Sequence, residues 1–135
     1  KRVRLTPAEP RTNESISMDL GVITSFDGMK ELPGLPMVKS SKSPTIGFVY
    51  LIWSQYGYKI GKAVSVKSRT KLFEVKLPFP IRVEHYAKFS DYTQAERSLH
   101  LHFQEKRMEG EWFSLSDDDV SFTKTMGEPQ SVDLL

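Results

Sequence analysis

A tyrosine and a lysine are expected to share one face of a β-hairpin, beside a glycine. If Trp53 pairs with Tyr58 across the turn, Tyr50 lies opposite Gly61, with Lys59 diagonal to it at about 7 to 8 Å between Cα atoms. An ammonium group beside a phenol favours the ionised phenol, which is a stronger base. A register shifted by one residue would instead bring Tyr58 next to Tyr50.

Glu96 lies in a predicted helix and could either bind a metal ion or cap that helix. The apolar residues at helical spacing, which should face the core, are Tyr92, Ala95, Leu99 and Phe103. Glu96 lies at the edge of this stripe, partly sheltered, where a carboxylate could ligate a metal ion. The segment Thr93-Gln-Ala-Glu96 also fits a capping box. Both roles stay open at this point.

Basic residues are concentrated in one segment of a chain whose net charge is only +2. Residues 57–73 contain no acidic residue, and their five basic residues are Lys59, Lys62, Lys67, Arg69 and Lys71. Such a segment indicates a positive surface of the kind that binds phosphate groups. An ordinary solvated helix face is the alternative.

The elements that must position these residues are expected to form a small α+β domain. The pattern predicts a hairpin over residues 46–62, a helix capped by Ser65, a third strand over residues 80–89 and then the helix of Glu96. The order β-β-α-β-α predicts a small three-stranded antiparallel sheet flanked by helices.

Composition excludes several classes of site. The chain has 135 residues and 39% hydrophobic residues, which suits one core. It has no Cys, so disulfides, Cys-rich zinc sites and a cysteine nucleophile are excluded, and an intracellular location is expected. The longest hydrophobic run, Phe48 to Trp53, is far shorter than the roughly 20 residues that span a bilayer, so no membrane contact is expected. No Gly-rich phosphate loop is present, and we expect no small-molecule cofactor.

Five short motifs, taken in order, resemble those of the GIY-YIG nuclease superfamily. They are Gly47-Phe-Val-Tyr50, Tyr58-Lys-Ile-Gly61, Arg69, Ala95-Glu96 and Gly110-Glu-Trp-Phe113. The sequence is similar to the phage and bacterial branch in which the second motif reads Lys-Ile-Gly. The resemblance covers about half of the chain, and the superfamily fold is a three-stranded antiparallel sheet flanked by helices.

This resemblance implies a metal-dependent endonuclease that hydrolyses DNA phosphodiester bonds with one ion of Mg²⁺ or Mn²⁺. Tyr50 would orient or deprotonate the attacking water, Arg69 would hold the scissile phosphate and Glu96 would bind the metal ion. Lys59 replaces the tyrosine of the second motif and is counted as the fourth candidate catalytic residue. The alternative is a catalytically inactive nucleic-acid-binding module of a larger protein.

Further candidate residues and boundaries complete the prediction. The candidate nucleic-acid-binding residues are Tyr56 at the hairpin tip, Lys62, Lys67, Lys71 and His100. We expect an N-terminal arm or linker over residues 1–44, the nuclease-like domain over residues 45–116 and an acidic, polar tail over residues 117–135. The resemblance implies DNA as the partner. Because the chain does not begin with Met, further domains of a longer chain are expected as well.

Overall fold

One antiparallel sheet organises the computed structural model, which describes residues 29–135. Its strands are β1 (Gly47–Ser54), β2 (Gly57–Ala63), β3 (Arg82–Phe89), β4 (Arg107–Glu109), β5 (Trp112–Phe113) and β6 (Glu128–Pro129). Three helices lie wholly within this part of the chain, α1 (Val66–Lys76), α2 (Tyr92–His102) and α3 (Asp117–Thr123), with short 3₁₀ turns at Gln104–Lys106 and Val132–Leu134. Most of the arm predicted over residues 1–44 lies outside the described residues.

The prediction of a small three-stranded sheet is wrong. Within the described residues the sheet has six strands in the order β4-β5-β2-β1-β3-β6, with all pairs antiparallel. The three outer strands contain only two or three residues each. A strand of two or three residues is too short to show an alternation of apolar and polar side chains. Such strands depend on backbone pairing with a neighbouring strand, which the local sequence does not reveal. The α+β class is compatible with the structure, and the first five elements follow the order β-β-α-β-α.

The predicted hairpin register is confirmed. Trp53 pairs with Tyr58, and Tyr50 pairs with Gly61. The Ser54 hydroxyl closes the turn, because it donates to the Gly57 carbonyl at 3.0 Å and accepts from the Tyr56 amide at 3.1 Å. The two strands therefore place Tyr50, Lys59 and Gly61 on one face and Val49, Leu51 and Ile60 on the other, as predicted.

One face of the sheet packs against α2 and α3. The sheet contributes Val49, Leu51, Ile60, Ala87 and Phe89, and the helices contribute Ala95, Leu99 and Val120, with Phe103, Phe113 and Met126 beside them. This packing confirms the predicted core stripe of α2. Residues beyond position 116 therefore belong to the same core.

The opposite face, which was predicted to carry the phenol of Tyr50 and the ammonium group of Lys59, is also covered by packed side chains. Tyr50 and Ile52 pack there with Val66 and Phe73 of α1 and with Tyr86 of β3. Tyr50 is accordingly buried, with 1% of its surface exposed. No helix within residues 29–135 is both long and apolar enough to cross a membrane.

Candidate active site

Tyr50 lies across Gly61 on the face of the sheet that α1 covers. The two residues pair directly, and a Cβ atom added at Gly61 would lie only 2.3 Å from the Tyr50 hydroxyl oxygen. Such a distance is far below van der Waals contact, so only glycine leaves room for the phenol. Gly61 thus provides the space that the Tyr50 side chain occupies.

Lys59 lies on the same face and is held by a carboxylate and two aromatic rings. Its Nζ atom is 3.0 Å from Glu111 Oε1, 5.2 Å from the centre of the Phe73 ring and 5.7 Å from the centre of the Trp112 ring. Only 14% of the Lys59 side chain is exposed. The ammonium group is therefore largely desolvated and has a defined position.

Arg69 approaches the Tyr50 hydroxyl from α1 and is itself exposed. Burial raises the pKa of Tyr50, and the negative charge of Glu111 raises it further, whereas the nearby Arg69 guanidinium lowers it. The net direction is upward. The expectation that Lys59 favours an ionised Tyr50 is therefore wrong, because burial dominates and the negative charge of Glu111 acts in the same direction.

Glu96 reaches the same site from α2. Its Oε2 atom is buried and has no hydrogen-bond partner among the described residues. Burial and the neighbouring charge of Glu111 raise the pKa of Glu96 to about 7, while Lys62 and Lys59 act in the opposite direction. The alternative role as a helix cap is wrong, because Asp91 caps α2 and accepts a hydrogen bond from the Gln94 amide.

The structure thus brings Tyr50, Lys59, Arg69 and Glu96 together from four different elements. Sequence reasoning assigned no role to Glu111, which lies between Lys59 and Glu96. Pairing of β5 with β2 brings it there, because the Ile60 amide donates to the Glu111 carbonyl at 3.0 Å. In the sequence, Glu111 could have been identified by its position directly before the aromatic pair Trp112-Phe113.

Two of the predicted nucleic-acid-binding residues, Lys62 and His100, line an open groove beside Glu96, with a volume of about 440 Å³. The Lys62 ammonium donates to the Thr93 hydroxyl at 2.7 Å. His100 Nε2 lies 2.7 Å from the Ile60 carbonyl, and a carbonyl only accepts, so Nε2 carries the proton. Burial lowers the pKa of His100, which favours this neutral ring.

The other three predicted nucleic-acid-binding residues lie apart from this groove. Lys67 and Lys71 are exposed on α1, the helix of Arg69. Tyr56 is 59% exposed at the hairpin tip, and its ring centre is 5.1 Å from that of Phe79. All three are open to solvent and so accessible to a ligand.

The residues around Glu96 suit a hydrated divalent cation better than a closed metal cage. Within residues 29–135, no group of three or more His, Asp or Glu side chains is arranged to hold a metal ion. The unpaired Glu96 oxygen with Glu111 beside it nevertheless offers hard oxygen ligands. Mg²⁺ keeps several waters and needs only one or two carboxylates. The donor set therefore fits this class of ion.

Comparison with known proteins gives one match. The T5orf172 domain model matches residues 47–125, which is more than half of the chain and includes every candidate site residue named above. Neither the curated proteins nor the solved structures contain a match to the chain. The chain belongs to the T5orf172 domain family, a nuclease-related family.

Proposed function

We propose that this domain is a GIY-YIG-type endonuclease that hydrolyses DNA phosphodiester bonds with one divalent cation, Mg²⁺ or Mn²⁺. The observation that carries this proposal is the convergence of Tyr50, Lys59, Arg69 and Glu96 around Gly61. The hairpin of β1 and β2 places Tyr50 beside Lys59, but Arg69 and Glu96 reach them from two separate helices, α1 and α2. A site that combines a phenol, two cations and a carboxylate suits phosphoryl chemistry.

Glu96 would hold the cation, and Glu111 is near enough to share in the charge balance. When bound, the cation would polarise the phosphate and lower the pKa of a bound water. Among the described residues the buried Glu96 Oε2 atom has no hydrogen-bond partner of ordinary geometry, although the Glu111 carboxyl group lies close to Glu96. Helix α2 fixes this carboxylate, because its neighbours Ala95 and Leu99 are buried in the core.

Arg69 would bind the scissile phosphate. It is exposed, and it reaches toward the buried Tyr50 hydroxyl, so a phosphate held by Arg69 would lie next to the phenol. A guanidinium group can donate two parallel hydrogen bonds to phosphate oxygens, which orients the group as well as attracting it. The exposed Lys67 adds positive charge on the same helix.

Tyr50 would act as a neutral phenol. Because burial holds the pKa of Tyr50 above its ordinary value, the phenol keeps its proton at neutral pH. A neutral phenol can still accept a hydrogen bond from the attacking water and so orient it. Lys59, fixed by Glu111 on the same face, supplies positive charge near the developing oxyanion.

A nuclease assay tests this proposal directly. Supercoiled, linear duplex and single-stranded DNA would be incubated with Mg²⁺ or Mn²⁺, with EDTA as the metal-free control. We expect Glu96→Gln and Arg69→Ala to reduce cleavage by about 100- to 1,000-fold, because each removes a charge that acts in the transition state. The matched controls Glu105→Gln and Lys88→Ala change exposed charges outside the site and should keep the activity.

A different outcome would favour the second candidate function, a catalytically inactive nucleic-acid-binding module. The observation behind it is that Lys59, which replaces the second-motif tyrosine, is already ion-paired with Glu111. DNA binding that weakens with added salt, together with no cleavage by any of the metal-loaded samples, would support that function and contradict hydrolysis.

A further inference from the structure

Three aromatic side chains form a row from the hairpin tip to Lys59. The Tyr56 and Phe79 ring centres are 5.1 Å apart, those of Phe79 and Trp112 are 5.9 Å apart, and both pairs meet edge to face. The Lys59 ammonium lies 5.7 Å from the centre of the Trp112 ring. This aromatic row therefore connects the exposed tip of the hairpin with the candidate active site.

The aromatic row borders a cleft of about 200 Å³, whose lining residues are Tyr56, Phe79, Met108, Glu109 and Trp112. Tyr56 and Met108 are 59% and 53% exposed. Four of the five lining side chains are aromatic or apolar, and the fifth is a carboxylate. The cleft thus offers flat apolar surfaces and one hydrogen-bond acceptor to solvent.

The fold makes little use of the aromatic row. Tyr56, Phe79 and Trp112 are absent from both core clusters of the described residues, whereas Phe113, next to Trp112, is completely buried in one of them. The hairpin turn is closed by Ser54 instead. The exposed Tyr56 ring and the solvent-facing parts of the half-buried Phe79 and Trp112 rings are therefore open to a ligand.

We infer that this cleft is a subsite for an unpaired nucleobase of the DNA, an inference that rests on the proposed function. A nucleotide combines a flat, uncharged base with an anionic phosphate, and the cleft combines flat apolar walls with the Lys59 ammonium at one end. The phosphate of the bound nucleotide would then face Lys59 and Arg69. Lys59 is already ion-paired with Glu111, so the exposed Arg69 guanidinium is the more available cation for this phosphate, and an apolar peptide would make no use of it.

The subsite restricts the class of substrate. In a duplex, both faces of each base are stacked and the pairing edge is occupied, so the aromatic row can accept a base only where DNA is unpaired. Glu109 can accept a hydrogen bond from an exocyclic amino group, such as N4 of cytosine. The substrate is therefore single-stranded DNA, or DNA with a flap or bubble beside the cleavage point.

Binding without cleavage tests the subsite separately from the proposed hydrolysis. In EDTA, the full chain would be titrated with a short labelled oligothymidine, with an abasic strand of the same length and with a duplex, and fluorescence anisotropy would be recorded. The abasic strand keeps the phosphates but has no bases. We expect the oligothymidine to bind about tenfold more tightly than the abasic strand, as stacking of a base on an aromatic ring would give.

Substitutions in the hairpin locate the effect. Tyr56→Ala and Tyr56→Leu should abolish the difference between oligothymidine and the abasic strand, whereas Tyr56→Phe should keep it. Gln55→Ala, an exposed neighbour in the same turn, should keep it as well. Circular dichroism would establish that each variant is folded, and in a Trp53→Phe background, quenching of the remaining Trp112 fluorescence would report contact with the base.

The results separate this inference from the function on which it rests. Equal binding of the two single strands, or a loss in Tyr56→Ala that is the same for both, would overturn the subsite. Base-dependent binding that requires the Tyr56 ring would support the subsite even if the Mg²⁺ assay showed no hydrolysis. Cleavage of duplex DNA at the same rate in wild type and Tyr56→Ala would overturn the subsite and leave hydrolysis standing.

Discussion

The two helices that carry candidate site residues are held to the sheet very differently. Helix α2, which carries Glu96, buries Gln94, Ala95, Ser98 and Leu99. Helix α1, which carries Arg69, has only Val66 fully buried, and its Leu72 and Val75 are 44% and 84% exposed. The carboxylate is therefore attached to the core, and the guanidinium is attached to a peripheral helix.

The caps of the two helices differ in the same way. Asp91 of α2 accepts from the Gln94 amide at 3.1 Å, from the Ser41 amide and hydroxyl at 2.9 Å each, and from the Ser40 hydroxyl at 3.2 Å. For α1, the Ser65 hydroxyl accepts from the Ser68 amide at 3.3 Å. We infer that the proposed metal-binding side is preorganised, whereas the phosphate-binding side can adjust to DNA.

The largest expected effect is a difference in the free energy of unfolding between variants of one leucine from each helix. Leu99→Ala in α2 should lower the free energy of unfolding by about 3 kcal/mol, because it leaves a cavity in the core. Leu72→Ala in α1 should change it by less than about 0.5 kcal/mol. Urea denaturation measures both values. Similar losses in the two variants would show that α1 is packed as firmly as α2.

A smaller but still substantial loss is expected at the cap of α2. Asp91→Ala should lower the free energy of unfolding by about 2 kcal/mol, because it leaves buried donors without an acceptor. Burial raises the pKa of Asp91, but the hydrogen bonds from Ser41, Gln94 and Ser40 lower it more, so the net direction is downward.

The sign of this pKa shift gives the cap a pH dependence. A carboxylate with a lowered pKa in the folded state stabilises the fold above its unfolded pKa, near 3.8, and loses that contribution as the pH falls through the folded value. The difference between wild type and Asp91→Ala should therefore shrink in strong acid. A difference that stays constant down to the lowest pH measured would contradict an ionised cap.

The next effect in size is expected at Glu96, because burial on the firmly attached α2 disfavours its charged form. Its pKa is raised from 4.5 to about 7, so the contribution of Glu96 to stability is fully present below pH 4.5 and is lost as the pH rises through 7. Glu96→Gln should be more stable than wild type above pH 7, by about 1 kcal/mol once partial solvent exposure is taken into account. Below pH 4.5 the two should unfold alike.

Thermal unfolding as a function of pH measures this difference, and Glu105→Gln, at an exposed position, is the matched control. Added Mg²⁺ should stabilise wild type above pH 7 but not Glu96→Gln, because only the carboxylate attracts the ion. If Glu96→Gln is less stable than wild type at every pH, the Glu96 carboxylate stabilises the fold through a structural partner, and the prediction that its ionised form destabilises the fold is wrong.

Local patterns predicted the central part of the site. The hairpin register, the cap at Ser65 and the core stripe of α2 depend on residues close together in sequence, and the structure confirms them. The local sequence does not determine where α2 begins, because Asp91 and Thr93 are both good N-cap residues. Hydrogen bonds from Ser40 and Ser41, some 50 residues earlier, select Asp91. No local pattern contains that information.

The remaining errors have the same origin. Glu111 reaches Lys59 only because β5, a strand of two residues, pairs with β2. The upward shift in the pKa of Tyr50 depends mainly on burial, which includes cover by Phe73 of α1. Both effects are set by contacts between distant segments, and the sequence shows the side chains but not their neighbours.

The smallest expected effect is at the cap of α1. Ser65→Ala removes two long hydrogen bonds to Ser68, at 3.2 and 3.3 Å, and should lower the free energy of unfolding by only about 0.5 kcal/mol. Hydrogen exchange is the more sensitive measurement, because fraying of the first turn exposes amides near Arg69 without global unfolding. Exchange should become faster in α1 and stay unchanged in α2. Faster exchange in both helices would mean that they move as one unit, and Arg69 would then be as rigidly placed as Glu96.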